Sequence, residues 1–118
     1  MKKIDTNEIY NILPEGIKNE LKNYGNLNSL QEIRLRAGKP LALQFGSGEK
    51  LTAYVINQQD IKAIIQRISS YSIYAFEEEL KNGYITIKGG HRIGICGRCI
   101  LEGNQVKTIK NPGSLNLR

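Results

Sequence analysis

Three short segments between residues 31 and 55 alternate apolar and polar side chains with a period of two. In QEIRLR, residues 31–36, Ile33 and Leu35 face one way while Glu32, Arg34 and Arg36 face the other. Leu41, Leu43 and Phe45 repeat the pattern, and Leu51, Ala53 and Val55 repeat it once more. Gly38-Lys39-Pro40 and Gly46-Ser47-Gly48 supply the turns between them. Such a chain is expected to build an antiparallel meander with one face in the core and one in water. On that reading Leu51, Ala53 and Val55 belong to the core side.

Helical signals flank the meander. Asp5-x-x-Glu8 reads as a capping box ahead of Ile9, Ile12 and Leu13. Pro14 suits the first turn of a second helix carrying Ile17 and Leu21 and closed by Gly25. Asn57 precedes Ile61, Ile64, Ile65 and Ile68, spaced i, i+3, i+4 and i+7 along one helical face. A short helix is expected over 72–81, with Ile73, Phe76 and Leu80 inward, Glu77, Glu78 and Glu79 in water, and Gly83 at its end. Strands are expected at 84–88, 91–101 and 105–110, before Asn111-Pro112-Gly113 ends regular structure. The order ααβββααβββ predicts an α+β domain with helices packed on a largely antiparallel sheet. Residues 1–110 form the domain, and 111–118 begin a linker.

The bulk numbers fit one domain: 118 residues, 40% of them hydrophobic and 24% charged. No apolar run approaches the roughly 20 residues that span a bilayer. Asp5, Asn7 and Glu8 interrupt any signal-peptide core. The expected location is the cytoplasm, with any membrane contact peripheral.

Charge is unevenly spread. Residues 1–80 carry ten basic and ten acidic side chains. Residues 81–118 carry Lys81, Lys88, Arg92, Arg98, Lys107, Lys110 and Arg118 against Glu102 alone, which accounts for the net charge of +6. The same stretch holds GGHRIGICGR, residues 89–98. Cations on glycine-hinged strands are suited to an anionic partner, phosphate above all. Arg92 and Arg98 are an even number of residues apart, so a regular strand sets both on one face about 20 Å apart. They line an interface in that case, and grip one phosphate only if the strand folds. Gly89, Gly90, Gly94 and Gly97 supply backbone freedom for a hairpin turn and strand bends.

Catalysis has little to work with. His91 is the single histidine, better suited to structure or hydrogen bonding than to acid–base work without a partner. Cys96 and Cys99 lie at i and i+3 of a strand, on opposite faces, which opposes a shared metal or a disulfide. No metal site and no cofactor are expected in this chain. A nucleic-acid module is the rival reading, since the pI is about 9.4. Among Tyr10, Tyr24, Tyr54, Tyr71, Tyr74 and Tyr84, however, only Tyr84 sits near the cations where a base would stack. A domain on an anionic membrane surface is a third possibility.

EIRLRAGKPL (32–41), SSYSIYAFEEELKNGYITIKGGHRIGICGR (69–98) and SLNLR (114–118) carry a resemblance. From about residue 28 onward the chain resembles the N-terminal region of the stage III sporulation protein AA family of endospore-forming bacteria; the first 27 residues match in general character. That family is similar to the secretion and pilus-retraction ATPases of the AAA+ class. The resemblance implies a sensor-like domain ahead of a RecA-like motor, in a homo-hexamer at the cytoplasmic face of the mother-cell membrane, beside the channel to the forespore. The implied partners are the chain's own RecA-like domain, neighbouring subunits and channel membrane proteins, with ATP and Mg²⁺ in the parent protein. This chain contains no G-x-x-x-x-G-K-[ST] loop. It is therefore expected to be a non-catalytic fragment, with 111–118 leading toward the absent motor. By analogy of architecture, Arg92, Arg98 and Arg118 are candidates for a neighbour's phosphates or acidic surface. Arg34 and Arg36 are candidates for an interface or for salt bridges on the sheet, and His91 for an interface.

Overall fold

The computed structural model describes residues 9–25, 27–71, 82–87, 91–102 and 105–118, without the side chains of 69–71, 96–102 and 105–112. The Asp5/Glu8 capping box, the helix expected over 72–81, and Gly89 and Gly90 lie outside the described residues. The elements are α1 (Glu15–Tyr24), β1 (Leu30–Arg36), β2 (Pro40–Phe45), β3 (Gly48–Val55), α2 (Gln58–Tyr71), β4 (Tyr84–Thr86), β5 (Arg92–Glu102) and β6 (Gln105–Leu117). The fold is α+β, as expected. All pairings are antiparallel, in the order β3-β2-β1-β6-β5-β4.

Alternation decides which side of the sheet becomes the core. Ile33, Leu35, Leu41, Leu43, Phe45, Ile93, Ile95, Leu115 and Leu117 all point inward and are buried. They meet Ile9, Ile12 and Leu13, then Ile17 and Leu21 of α1, then Ile61, Ile64 and Ile68 of α2, in one cluster. Pro14, in extended conformation, sits at the N-cap of α1 and separates the two helical stretches. Gly25 follows α1 with φ 105°, a left-handed angle that ends the helix where a Cβ would be strained.

Helix α2 is anchored by a reciprocal cap. The Asp60 amide donates to Asn57 Oδ1 at 2.8 Å, and the Asn57 amide donates to Asp60 Oδ2 at 3.1 Å. Buried Asp60 also accepts the Tyr54 hydroxyl at 3.0 Å, tying β3 to the helix start. Burial, then the bond to Asp60, raises the Tyr54 phenol above its ordinary range. Asp60→Ala removes the cap and strands the Tyr54 hydroxyl. The expected loss is about 2 kcal/mol, read as a shifted urea midpoint, with Tyr54→Phe losing less.

Two expectations change. Leu51 and Val55 are 63% and 56% exposed, and Ala53 is exposed with them. The register sets Leu51 opposite Ala42 and Val55 opposite Pro40, on the face away from Leu41 and Leu43. Thr52 and Tyr54 take the inward positions of β3, where the Tyr54 hydroxyl bonds Asp60. The core side of an edge strand is satisfied here by one large tyrosine, leaving the apolar set in water.

The second change concerns the chain's end. Asn111-Pro112-Gly113 does not stop the last strand; β6 runs through it as a bulge. Cys96 pairs with Ser114 and Arg98 with Lys110, so two steps of β5 oppose four of β6. A bulge accommodates a proline that a regular ladder rejects. Residues 114–117, read above as part of a linker, lie between β1 and β5 and hold them together.

A candidate interface on the outer sheet face

Helices α1 and α2 contribute to the cluster on the inner side. The outer side is built from the alternate residues of each strand. Strand pairing places Glu49, Gln44, Glu32, Arg118, Arg92 and Thr86 in one row across it. Leu51, Ala42, Arg34, Asn116, Gly94 and Tyr84 form the next row.

Arg92 and Arg118 become direct neighbours here. Each backbone amide donates to the other's carbonyl, at 3.2 and 2.9 Å. Like charges opposite one another are unfavourable on a sheet unless something offsets them. Arg118 Nε donates to Glu32 Oε1 at 2.5 Å. The Arg92 guanidinium lies 4.5 Å from the centre of the Tyr84 ring, a cation–π contact. One face of the best-placed tyrosine is thus occupied by an arginine, which weakens the case for base stacking.

Glu32 is the centre of the arrangement, 6% exposed although it sits on the outer face. Arg34 Nε donates to its second carboxylate oxygen. Arg34 also reaches Glu49 across β2, Nη1 to Oε2 at 3.0 Å. Burial alone would push the Glu32 carboxyl up, but the hydrogen bonds from Arg118 and Arg34 and their charges outweigh it and hold the group below the usual range. Glu32 and Glu49 hold Arg34 and Arg118 in one network. Among the described residues Arg92 and Arg36 are exposed cations with no acidic partner.

The remaining expected site residues fall differently. The side chains of Arg98, Cys96 and Cys99 lie outside the described set. The bulge at 111–113 sits on β6 between the partners of Cys96 and Arg98, so even spacing alone does not fix how Arg98 stands relative to Arg92. Gly97 falls within β5. Gly94 also lies in β5, where an added Cβ would meet Asn116 at an ordinary 3.8 Å, so close packing does not demand glycine there. His91 is 8% exposed, with Nδ1 3.4 Å from the Arg118 carbonyl oxygen and Nε2 without a hydrogen-bond partner among the described residues. Among the described residues no group of three or more His, Cys, Asp or Glu is arranged to hold a metal. No described helix is long and apolar enough to cross a membrane.

The role of Glu32 was not legible in the sequence, where it reads as one more solvated strand residue. Its signal was distributed: a carboxylate flanked by alternating arginines in β1, with its second partner 86 residues away.

A family model described as "Sporulation stage III, protein AA" matches residues 3–118, so the likeness extends through the first 27 residues as well. The stage III sporulation protein AA of Bacillus subtilis (strain 168) is 40% identical over 114 residues. The match covers 95% of this chain and 37% of that relative, so the chain spans little more than a third of the curated protein's length.

Proposed function

Because the chain belongs to the sporulation stage III protein AA family, we propose that it is the assembly and nucleotide-sensing domain of a longer, hexameric secretion-type ATPase acting in endospore formation. The observation that carries this is the pair Arg92 and Arg118, held side by side on the outer sheet face. Each guanidinium is a planar, charge-assisted donor suited to phosphate or carboxylate, and the two stand on the same face of paired strands, Arg118 turned toward Glu32 and Arg92 toward Tyr84. Arg118 is already engaged by Glu32, so Arg92 is the freer of the two and Arg118 orients the row beside it. The domain contributes binding and position, while hydrolysis belongs to a motor in the remaining length of the parent. Its place is the cytoplasmic face of the membrane, next to the neighbouring subunit and the channel proteins.

The full-length protein tests this. Arg92→Ala is expected to lower ATP turnover by at least about tenfold, as loss of an arginine reaching a neighbour's phosphates does. The far-UV circular dichroism and urea midpoint should stay at wild-type values. Arg98→Ala provides the second probe. The 118-residue chain alone should show no turnover. Unchanged turnover in the Arg92 and Arg98 variants overturns the arginine role.

A further inference from the structure

The opposite end of the outer face has a different character. Arg34, Arg36, Lys39, Pro40, Ala42, Glu49 and Leu51 line an open depression of about 240 Å³. Its floor is apolar: Ala42 is buried, and Leu51 stands 63% exposed beside it. Val55, 56% exposed, continues the apolar strip next to Pro40. Among the described residues Leu51 and Val55 are two of only three large apolar side chains left in water. Arg34 is tied to Glu32 and Glu49, whereas Arg36 and Lys39 on the rim have no acidic partner among the described residues.

The geometry points to a docking groove for an acidic amphipathic helix of a partner protein. An antiparallel sheet can leave one face in water, and among the described residues no helix covers this one, since α1 and α2 both pack on the inner side. What marks this end is the exposed pair Leu51 and Val55 beside two cations. Apolar side chains at helical spacing fill the floor by Ala42 and Leu51 and cover Val55. Carboxylates on the flank of that helix pair with Arg36 and Lys39. A second copy of this chain is a poor occupant, since neither described helix is net acidic: α1 carries Glu15 and Glu20 against Lys18 and Lys22, and α2 carries Asp60 against Lys62 and Arg67. A flat anionic membrane also fits poorly, because the Glu49 carboxylate lines the same depression. The groove uses β1–β3 and is separate from Arg92, so it stands or falls apart from the ATPase reading.

Titrating the isotope-labelled 118-residue chain by NMR tests it. The probes are a leucine/glutamate amphipathic helical peptide, its leucine/lysine counterpart, and phosphatidylcholine vesicles with and without phosphatidylglycerol. Saturable shifts are expected at Arg36, Lys39, Ala42, Leu51 and Val55 with the acidic peptide alone. Leu51→Asp and Lys39→Glu should each weaken its affinity by about tenfold or more, as loss of an interface anchor does. Both sites are exposed, so the urea midpoint should hold. The lysine peptide should gain affinity for the Arg36→Glu/Lys39→Glu variant. No acidic-peptide binding, binding indifferent to these substitutions, or shifts with phosphatidylglycerol vesicles alone would each overturn the assignment.

Discussion

A chain shortened after Lys110 is expected to lose cooperative folding altogether. Residues 114–117 are the only part of β6 that pairs with β1, while β5 pairs with them from the other side. Without them the sheet falls into a β3-β2-β1 piece and a β5-β4 piece with no strand between. The deletion also removes Leu115 and Leu117, both buried, from the shared core. Each such leucine lost costs about 2–5 kcal/mol. Two of them, plus the ladder hydrogen bonds, approach the roughly 5–15 kcal/mol by which domains are stable at all. Urea titration followed by circular dichroism should show a cooperative transition for the intact chain and none for the shortened one. A truncated chain that still unfolds cooperatively would show that the sheet does not depend on its central strand. Leu115→Ala is the milder companion, expected to lose about 3 kcal/mol while folding normally.

Replacing Glu32 should cost stability in a way that depends on pH. Its carboxyl is held below the ordinary range by Arg118 and Arg34 against the opposing effect of burial. A group whose folded value is depressed contributes its stability above the unfolded value and loses it as pH falls through the folded one. Glu32→Gln keeps the shape and removes the charge. At neutral pH it should be about 1–2 kcal/mol less stable than wild type, a modest figure because both arginines retain access to water. From pH 7 to about 5 that gap should be constant, and it should close on further acidification as wild-type Glu32 takes up its proton. Glu32→Lys, which places a buried cation between Arg34 and Arg118, should cost more than Glu32→Gln at every pH above that window. Urea midpoints at fixed salt across the acid range measure both. A gap that does not change with pH would mean that Glu32 acts through packing and not through its charge.

The three residues that most shape the outer face are unequally legible in the sequence. Arg92 and Arg118 stand out as cations in a basic segment, but nothing in their 26-residue separation says that they become hydrogen-bonded neighbours. Glu32 gives no local sign that it is buried, because its burial depends on two arginines brought over it by β1 and β6.

Local patterning determined much of this protein on its own. Period two in 31–36 and 41–45 set β1 and β2 and chose their core face. Helical spacing of Ile61, Ile64 and Ile68 after Asn57 set α2 and its cap, and Pro14 with Gly25 bounded α1. These follow from backbone geometry and nearest neighbours, which a single stretch of chain contains. Tertiary structure decided the rest: that β6 crosses its Asn-Pro-Gly bulge to join β1 to β5, that β3 turns its apolar set to water, and that Glu32 is clamped. Strand order and register arise from pairing between distant segments, where the favoured arrangement is the one that buries the largest common apolar face. No local pattern contains that comparison, so the sheet's outer surface becomes visible only once the strands are side by side.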